Sequence, residues 1–402
     1  MDTPVTHAPL SLSFAAYPSD FLGWSEKVSE ARESLQMVAS APNDVRHYRS
    51  LRVAEISQFA GISRRQWSDW CASKRDVDGD PLGFRGLSVK QMHAMMDELG
   101  IRPRRPADKR ALRLLVTNFK GGAQKTTVCL NLVHYFGLRG YRVLAIDTDP
   151  QGTLSQHLGF SPGRVEDGHT IAPVYNREVR DLFGDGLRPL PSHLDGVDVL
   201  PANLSLTTTD FHIASEFVAD STQGRLYPLK MEAALSAIED NYDVILIDSP
   251  PAFSFTAIAM GWVADGIIVP LPTQVPDFAG TGDFCEMLGE YTNTLERWLS
   301  SKKSWAPVTF LHARVTAGMG SDWVSAKSRE AFGHHRLDEV IAESRPVANC
   351  LTVFKSVFEA TSADTDAKGL ARARDAYMAL GRRIESLMDE GWKLQRGANH
   401  GT

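Results

Sequence analysis

The sequence predicts an α/β chain: a parallel sheet with helices on both faces, preceded by a smaller all-α unit. Three observations predict it. From Leu112 onward, short apolar runs of strand length alternate with helical stretches, the order that builds a parallel sheet covered on both sides. A glycine-rich stretch stands between the first of these runs and the helix that follows. Two later runs end in aspartates, the place where sheets of this kind bind their ligands.

The 402 residues exceed one ordinary domain and predict two or three units. A hydrophobic fraction of 43% supports real cores and argues against a disordered chain. The net charge of −6 gives no global attraction to nucleic acid, so any such contact must come from local basic patches. Cys71, Cys129, Cys285 and Cys350 are scattered, form no C-x-x-C motif and read as reduced thiols. The N-terminus lacks a secretory pattern, and no apolar run reaches the roughly 18–20 residues of a membrane helix. A soluble, cytoplasmic protein is expected.

In chain order, residues 20–40 read as a helix, with Trp24, Val28, Ala31, Leu35 and Val38 on one stripe. That stripe suits either a dimer contact or packing within the chain. A helical pair follows. Pro103 and Pro106, among Arg102, Arg104 and Arg105, then mark a solvated linker. This gives three units: residues 1–44, a helix suited to dimerisation; 45–106, a second small unit with its linker; and 107–402, the α/β unit. Strands are expected at 112–117, 142–146, 197–200, 244–247, 266–270 and 308–313. A helix is expected over 126–139, closed by Gly140, and a mostly helical tail over 360–393.

The strongest chemical signal is Lys120-Gly121-Gly122-Ala123-Gln124-Lys125-Thr126-Thr127. Between a buried strand and a helix, glycines let backbone N–H groups curl around an anion, and the helix N-terminus adds its positive dipole end. Lys125 is placed to reach the β- and γ-phosphates of a nucleotide, and the Thr126 hydroxyl to ligate Mg²⁺. The usual P-loop, G-x-x-x-x-G-K-[ST], has glycine where this chain has Gln124. Two windows add acid groups: the strand before Asp147-Thr148-Asp149-Pro150-Gln151-Gly152, and the strand before Asp248-Ser249-Pro250-Pro251.

These motifs resemble the ParA/MinD class of P-loop ATPases. Lys120-Gly-Gly-x-x-Lys125-Thr-Thr is similar to its deviant Walker A motif, with Lys120 as the signature lysine. Asp147-x-Asp149-Pro-Gln-Gly is similar to the motif that follows in ParA proteins, and Asp248 resembles the Walker B aspartate. The likeness runs through residues 268–272 and 321–324 to 357–359. It is nearest to the long plasmid partition ATPases, which also tolerate a bulky residue at the place of Gln124. The resemblance implies ATP or ADP with Mg²⁺, held by residues 120–127, Asp248 and Asp147. It implies that Asp149 orients the attacking water and that Lys120 reaches across a homodimer. It further implies slow hydrolysis, stimulated by DNA and a ParB-like centromere-binding protein.

Residues 53–70 carry a helix-turn-helix cadence: Ala54, Ile56, Ala60 and Ile62 inside, Gly61 at the turn, and Ser63 with Gln66 as a capping box. Arg64, Arg65, Gln66 and Ser68 would face DNA, while Trp67 and Trp70 read as core. Residues 74–86 suit a wing that includes Lys74. The order resembles the winged helix-turn-helix of long ParA proteins, which implies operator binding and autorepression. Arg345, Lys355, Lys368, Arg372 and Arg374 are candidates for nonspecific nucleoid DNA, or simply a solvated charged face. A nucleotide-responsive repressor without ATPase activity is the alternative. Against a membrane-bound relative stands the polar tail around Trp392, and against an iron–sulfur relative stand the isolated cysteines.

Overall fold

The computed structural model describes Lys27, Glu30 and residues 47–74, 86–175 and 186–395. Lys27 and Glu30 are helical and exposed; the rest of the expected helix 20–40, and residues 75–85 of the expected wing, lie outside the described residues. Helices of more than four residues are numbered below.

The small unit begins with β1 (Leu51–Arg52), α1 (Val53–Ala60) and α2 (Arg64–Ser73). Gly61, at φ 69°, makes the turn between the two helices, a left-handed conformation that costs a side chain-bearing residue more. Ser63 and Gln66 form the expected capping box at the start of α2. After the undescribed stretch come β2 (Gly86–Leu87), antiparallel to β1, and α3 (Val89–Glu98), so the unit is not purely helical as expected. Ile56, Ala60 and Ile62 are buried; Ala54 is exposed, and Phe59 takes the inward place instead.

The main sheet contains β3 (Leu112–Val116), β4 (Val143–Asp147), β5 (Leu190–Pro191), β6 (Val197–Leu200), β7 (Val244–Asp248), β8 (Gly266–Pro272), β9 (Val308–Val315) and β10 (Arg336–Ala342). Its order is β10-β9-β8-β3-β7-β4-β6-β5, parallel throughout except for β5 against β6. The helices are α4 (Lys125–Arg139), α5 (Thr153–His157), α6 (Leu206–Ala219), α7 (Tyr227–Ser236), α8 (Phe255–Val263), α9 (Val275–Leu299), α10 (Met319–Phe332), α11 (Arg345–Thr352) and α12 (Ala367–Leu394). Neither β5 nor β10 was legible in the sequence. The edge strand β10 buries only part of its length, and its charged residues mask the apolar alternation.

The period of two along each strand sorts the core into two faces. Leu114, Val116, Ala145 and Leu246 join one cluster with Leu132 and Phe136 of α4 and with Leu380 and Ile384 of α12. Leu115, Ile146, Ile245 and Ile247 join the other, with Met231 of α7 and Met260 of α8. Each of the larger side chains among them contributes about 1.5–3 kcal/mol on burial. Gly381 permits α12 to lie directly against α4, since a Cβ there would stand 2.3 Å from the Tyr135 ring.

The small unit shares the first of these clusters, through Ile56, Phe59, Met92 and Met96. His93 Nε2 donates to Gly137 O at 2.9 Å, the Arg139 guanidinium to Phe59 O, and Arg49 to Phe358 O at 2.9 Å. The arginines of the expected solvated linker are docked. Arg102 and Arg104 both donate to Gly140 O, just past the C-terminus of α4, where helix carbonyls lack partners. Arg105 donates to Tyr242 O and pairs with Asp240. Carbonyls left over at the ends of α4 and the sheet connections outcompete water for these guanidinium groups.

Candidate nucleotide-binding site

The site forms where three strands end at one level: Val116 of β3 and Asp147 of β4 both stand opposite Asp248 of β7. The chain leaves β3 through Asn118, whose side chain donates to Pro270 O at 2.9 Å and accepts from Lys120 N at 3.0 Å. This pins the loop to the sheet before it turns. Gly121 and Gly122 are exposed, Ala123 is buried, and α4 begins at Lys125. Gln124 sits at φ 62°, ψ 24°, left-handed, which accounts for the glycine of the usual pattern at this position. The fold forces the same backbone on glutamine.

Lys125 is buried, and its Nζ donates to Lys120 O at 3.2 Å. Burial lowers the ammonium below its ordinary pKa, against the pull of Asp248 and Asp149. Asp147 is fully buried, and its oxygens accept from Asp149 N at 3.1 Å, Ser155 N at 2.8 Å and Ser155 Oγ at 2.7 Å. Burial pushes it up to about 6, even with those bonds. Asp147 therefore acts chiefly as a brace for the segment that carries Asp149 and α5. Asp149 is half-buried at the mouth and accepts from Gln151 N at 2.9 Å.

Asp248 differs from all of these. Both its oxygens are buried, and neither makes a hydrogen bond of ordinary geometry with any described residue. Burial, and next the charge of Asp147, push its pKa well above the usual value, with the Thr126 hydroxyl and Lys125 pulling the other way. A buried carboxylate without donors is costly unless a cation joins it. With the Thr126 hydroxyl beside it, the donor set is all hard oxygen, which fits Mg²⁺.

Two partners had no signal in the motifs. Lys120 Nζ pairs with Asp277 of α9 at 3.0 Å, so its own chain holds the signature lysine. Arg314, at the end of β9 and at φ 57°, pairs with Glu343 at 2.9 Å, and its guanidinium would lie 3.7 Å from a Cβ on Gly122. Both come from segments far along the chain, which only the sheet order brings to the loop.

At the other end of the chain, Arg64, Arg65, Gln66 and Ser68 are all exposed along α2, while Trp67 packs inward. Trp70 turns its indole N–H to Glu98 at 2.9 Å. Among the basic candidates the outcome is mixed. Arg345, Lys368 and Arg372 are exposed. Lys74 instead pairs with Glu98 at 2.6 Å, and Lys355 with Asp364 at 2.8 Å. Arg374 is committed to Val357 O at 2.7 Å and to Ala360 O. Among the described residues, no helix is long and apolar enough to cross a membrane.

Comparison with known proteins agrees with this architecture. A family model described as an AAA domain matches residues 113–301, the stretch that holds the loop and both aspartate-ended strands. The chain is 28% identical to Protein SopA of Escherichia coli (strain K12), over 77% of this chain and 81% of SopA. It is 32% identical to the Probable plasmid-partitioning protein ParA of Thermus thermophilus, over 46% of this chain and 53% of that protein. A solved structure named Partition Protein shares the fold with a TM-score of 0.61, over 91% of this chain and 99% of its own, at 17% identity. With the loop, the aspartate-ended strands and these relatives in agreement, the chain belongs to the ParA-type partition ATPases.

Proposed function

We propose that the chain binds ATP with Mg²⁺ and hydrolyses it slowly to ADP and phosphate, and that ATP closes a homodimer. In this reading residues 107–402 are the ATPase unit, 45–106 a winged helix-turn-helix that binds operator DNA and represses the chain's own operon, and 1–44 a dimerising helix. The observation that carries the reading is Asp248, a buried carboxylate with no hydrogen bond of ordinary geometry among the described residues, beside the Thr126 hydroxyl and Lys125.

In this reading each residue takes a part that its position supports. The amides of residues 121–127 and the Lys125 ammonium bind phosphate oxygens. Thr126 and Asp248 hold Mg²⁺, while Asp147 braces the metal's surroundings from behind. Mg²⁺ supplies neutralisation of charge on the transferring phosphoryl group. Asp149, at the mouth, orients the attacking water. Lys120 must exchange Asp277 for a partner chain's phosphate, which makes its release a step in dimer closure. Arg64, Arg65, Gln66 and Ser68 read the operator. Of the nonspecific candidates, Arg345, Lys368 and Arg372 stand exposed, whereas Lys355 must first give up its ion pair, as must Lys74 of the proposed wing. A ParB-like centromere-binding protein and nucleoid DNA are the proposed partners, and the protein works in the cytoplasm on the nucleoid.

Phosphate release, nucleotide binding and operator anisotropy test these parts together. Lys125→Ala abolishes binding or hydrolysis; Asp149→Ala binds ATP without turnover. Arg64→Ala with Arg65→Ala abolishes operator binding and leaves DNA-free hydrolysis intact, since loss of one bidentate base contact alone costs about 1–3 kcal/mol. Wild-type turnover by Asp149→Ala removes the water-positioning role. Undiminished operator affinity removes α2 as the reading helix.

A further inference from the structure

A second buried cluster lies away from the phosphate loop, where the small unit meets the sheet. His134 of α4, His193 between β5 and β6, and Glu359 ahead of α12 bring their ligand atoms within 4.8 Å of one another. His134 is wholly buried, with His193 and Glu359 nearly so.

The ring nitrogens fix the chemistry. His134 Nδ1 lies 2.9 Å from Leu130 O, and His193 Nδ1 lies 3.3 Å from Leu158 O. A carbonyl only accepts, so each Nδ1 carries a hydrogen. In the neutral ring, Nε2 then presents a lone pair. Both Nε2 atoms face the same carboxylate: His193 Nε2 is 2.5 Å from Oε1 of Glu359, and His134 Nε2 is 3.0 Å from Oε2. The His134 contact lacks hydrogen-bond geometry despite its length. Lone pairs facing a carboxylate in a buried site repel unless a proton or a metal cation lies between them, and a single carboxylate brought against two such nitrogens suits a metal cation.

We propose that His134, His193 and Glu359 form a site for a Zn²⁺-class divalent ion. Two imidazoles and a carboxylate are its usual ligands, and an Nδ1–H donated to a backbone carbonyl is the outer-shell bond that orients a ligating histidine. Ligand atoms on one tetrahedral zinc stand about 3.3 Å apart, given bonds of about 2.0–2.2 Å. The observed spacings reach that by small side-chain shifts. Ser356 N, 3.1 Å from Glu359 Oε2, anchors the carboxylate. The Tyr48 hydroxyl, buried without a hydrogen-bond partner among the described residues, is available to a water on the ion's remaining position. Its ring centroid lies 6.1 Å from that of His134. The first residues of the small unit fasten to the same two loops, Tyr48 N to His193 O at 3.3 Å and Arg49 to Phe358 O at 2.9 Å. The ion would thus join the helix that follows the phosphate loop to the two loops on which the first residues of the small unit rest. This site is independent of the ATPase reading.

The test uses the full-length, tag-free chain, stripped with a chelator and re-dialysed against Zn²⁺ or Co²⁺ with excess Mg²⁺ to fill the aspartate site. The expected result is one Zn²⁺ per chain by mass spectrometry, a tetrahedral Co²⁺ absorption spectrum, and a thermal midpoint raised by Zn²⁺. His193→Gln and Glu359→Gln lower the Zn²⁺ affinity by at least the roughly 10–100-fold that loss of an outer-shell partner costs. Wild-type protein that retains neither ion above buffer level overturns the site, and would mean that protons hold the three groups together. Equal retention by folded His193→Gln overturns it as well.

Discussion

The two ends of the main sheet treat buried charge in opposite ways. At the start of β3, Arg113 is wholly buried yet fully served. It pairs with Glu232 at 2.8 Å and Glu239 at 2.7 Å, and donates to Ser236 Oγ at 3.2 Å and Val263 O at 3.4 Å. At the far end, one strand over, Asp248 is as deeply buried and has no such set among the described residues. The first is a closed cluster whose charges answer one another. The second is an open site, whose charge Lys125 and the Thr126 hydroxyl answer only in part until a further cation arrives. A buried group left without partners marks function more sharply than a buried group as such.

The largest expected effect breaks the closed end. Arg113→Met leaves Glu239 buried without its main cation and costs about 3–5 kcal/mol, read from the urea midpoint. Nucleotide affinity per folded molecule stays unchanged, because no contact of Arg113 reaches the loop.

A smaller effect sharpens the contrast between the sheet and the small unit. His93, 4% exposed, has its pKa lowered to about 4 from 6.5, first by burial and then by Arg102. The unfolded chain therefore takes up a proton on His93 at higher pH than the folded chain does. His93 contributes stability that is complete above pH 6.5 and is lost as pH falls through about 4. Protection of the α3 amides relative to their intrinsic exchange rates should fall over that window, and His93→Gln should flatten the change. An unaltered pH profile in the variant would place the acid sensitivity elsewhere.

The smallest effect lies in the loop itself. Gln124→Gly relieves a left-handed side chain-bearing residue of about 1–2 kcal/mol of strain, less what the freer unfolded chain takes back. A net gain under about 1 kcal/mol in the urea midpoint is expected. A loss would mean that the glutamine side chain contributes contacts that outweigh its backbone.

These contrasts also mark how far the sequence could be read. The strand–loop–helix at Lys120–Thr127 and the aspartates at the ends of β4 and β7 were legible, because local spacing alone places them. The capping box of α2 was legible for the same reason. Asp277 beside Lys120, Arg314 beside Gly122, and the His134–His193–Glu359 cluster were not. Each joins residues separated by many elements, and only the crossover order of the sheet brings them together. Arg102 and Arg105 were misread as solvated, while Arg104 stays exposed; besides nearby Asp97 and Asp240, their partners are carbonyls at the ends of distant elements, which carry no sequence signal.

The difference between the two ends is tested most directly by Asp248→Asn, measured for both urea midpoint and phosphate release. With nucleotide and Mg²⁺ absent, removing a buried unpaired charge should leave stability unchanged or raise it. That advantage over wild type should grow as pH rises above 3.8, because the folded pKa of Asp248 lies well above that ordinary value. Mg²⁺-dependent phosphate release from ATP should be lost. A variant that hydrolyses ATP at the wild-type rate, or that loses stability as Arg113→Met does, would contradict the reading of Asp248 as the open end of the sheet.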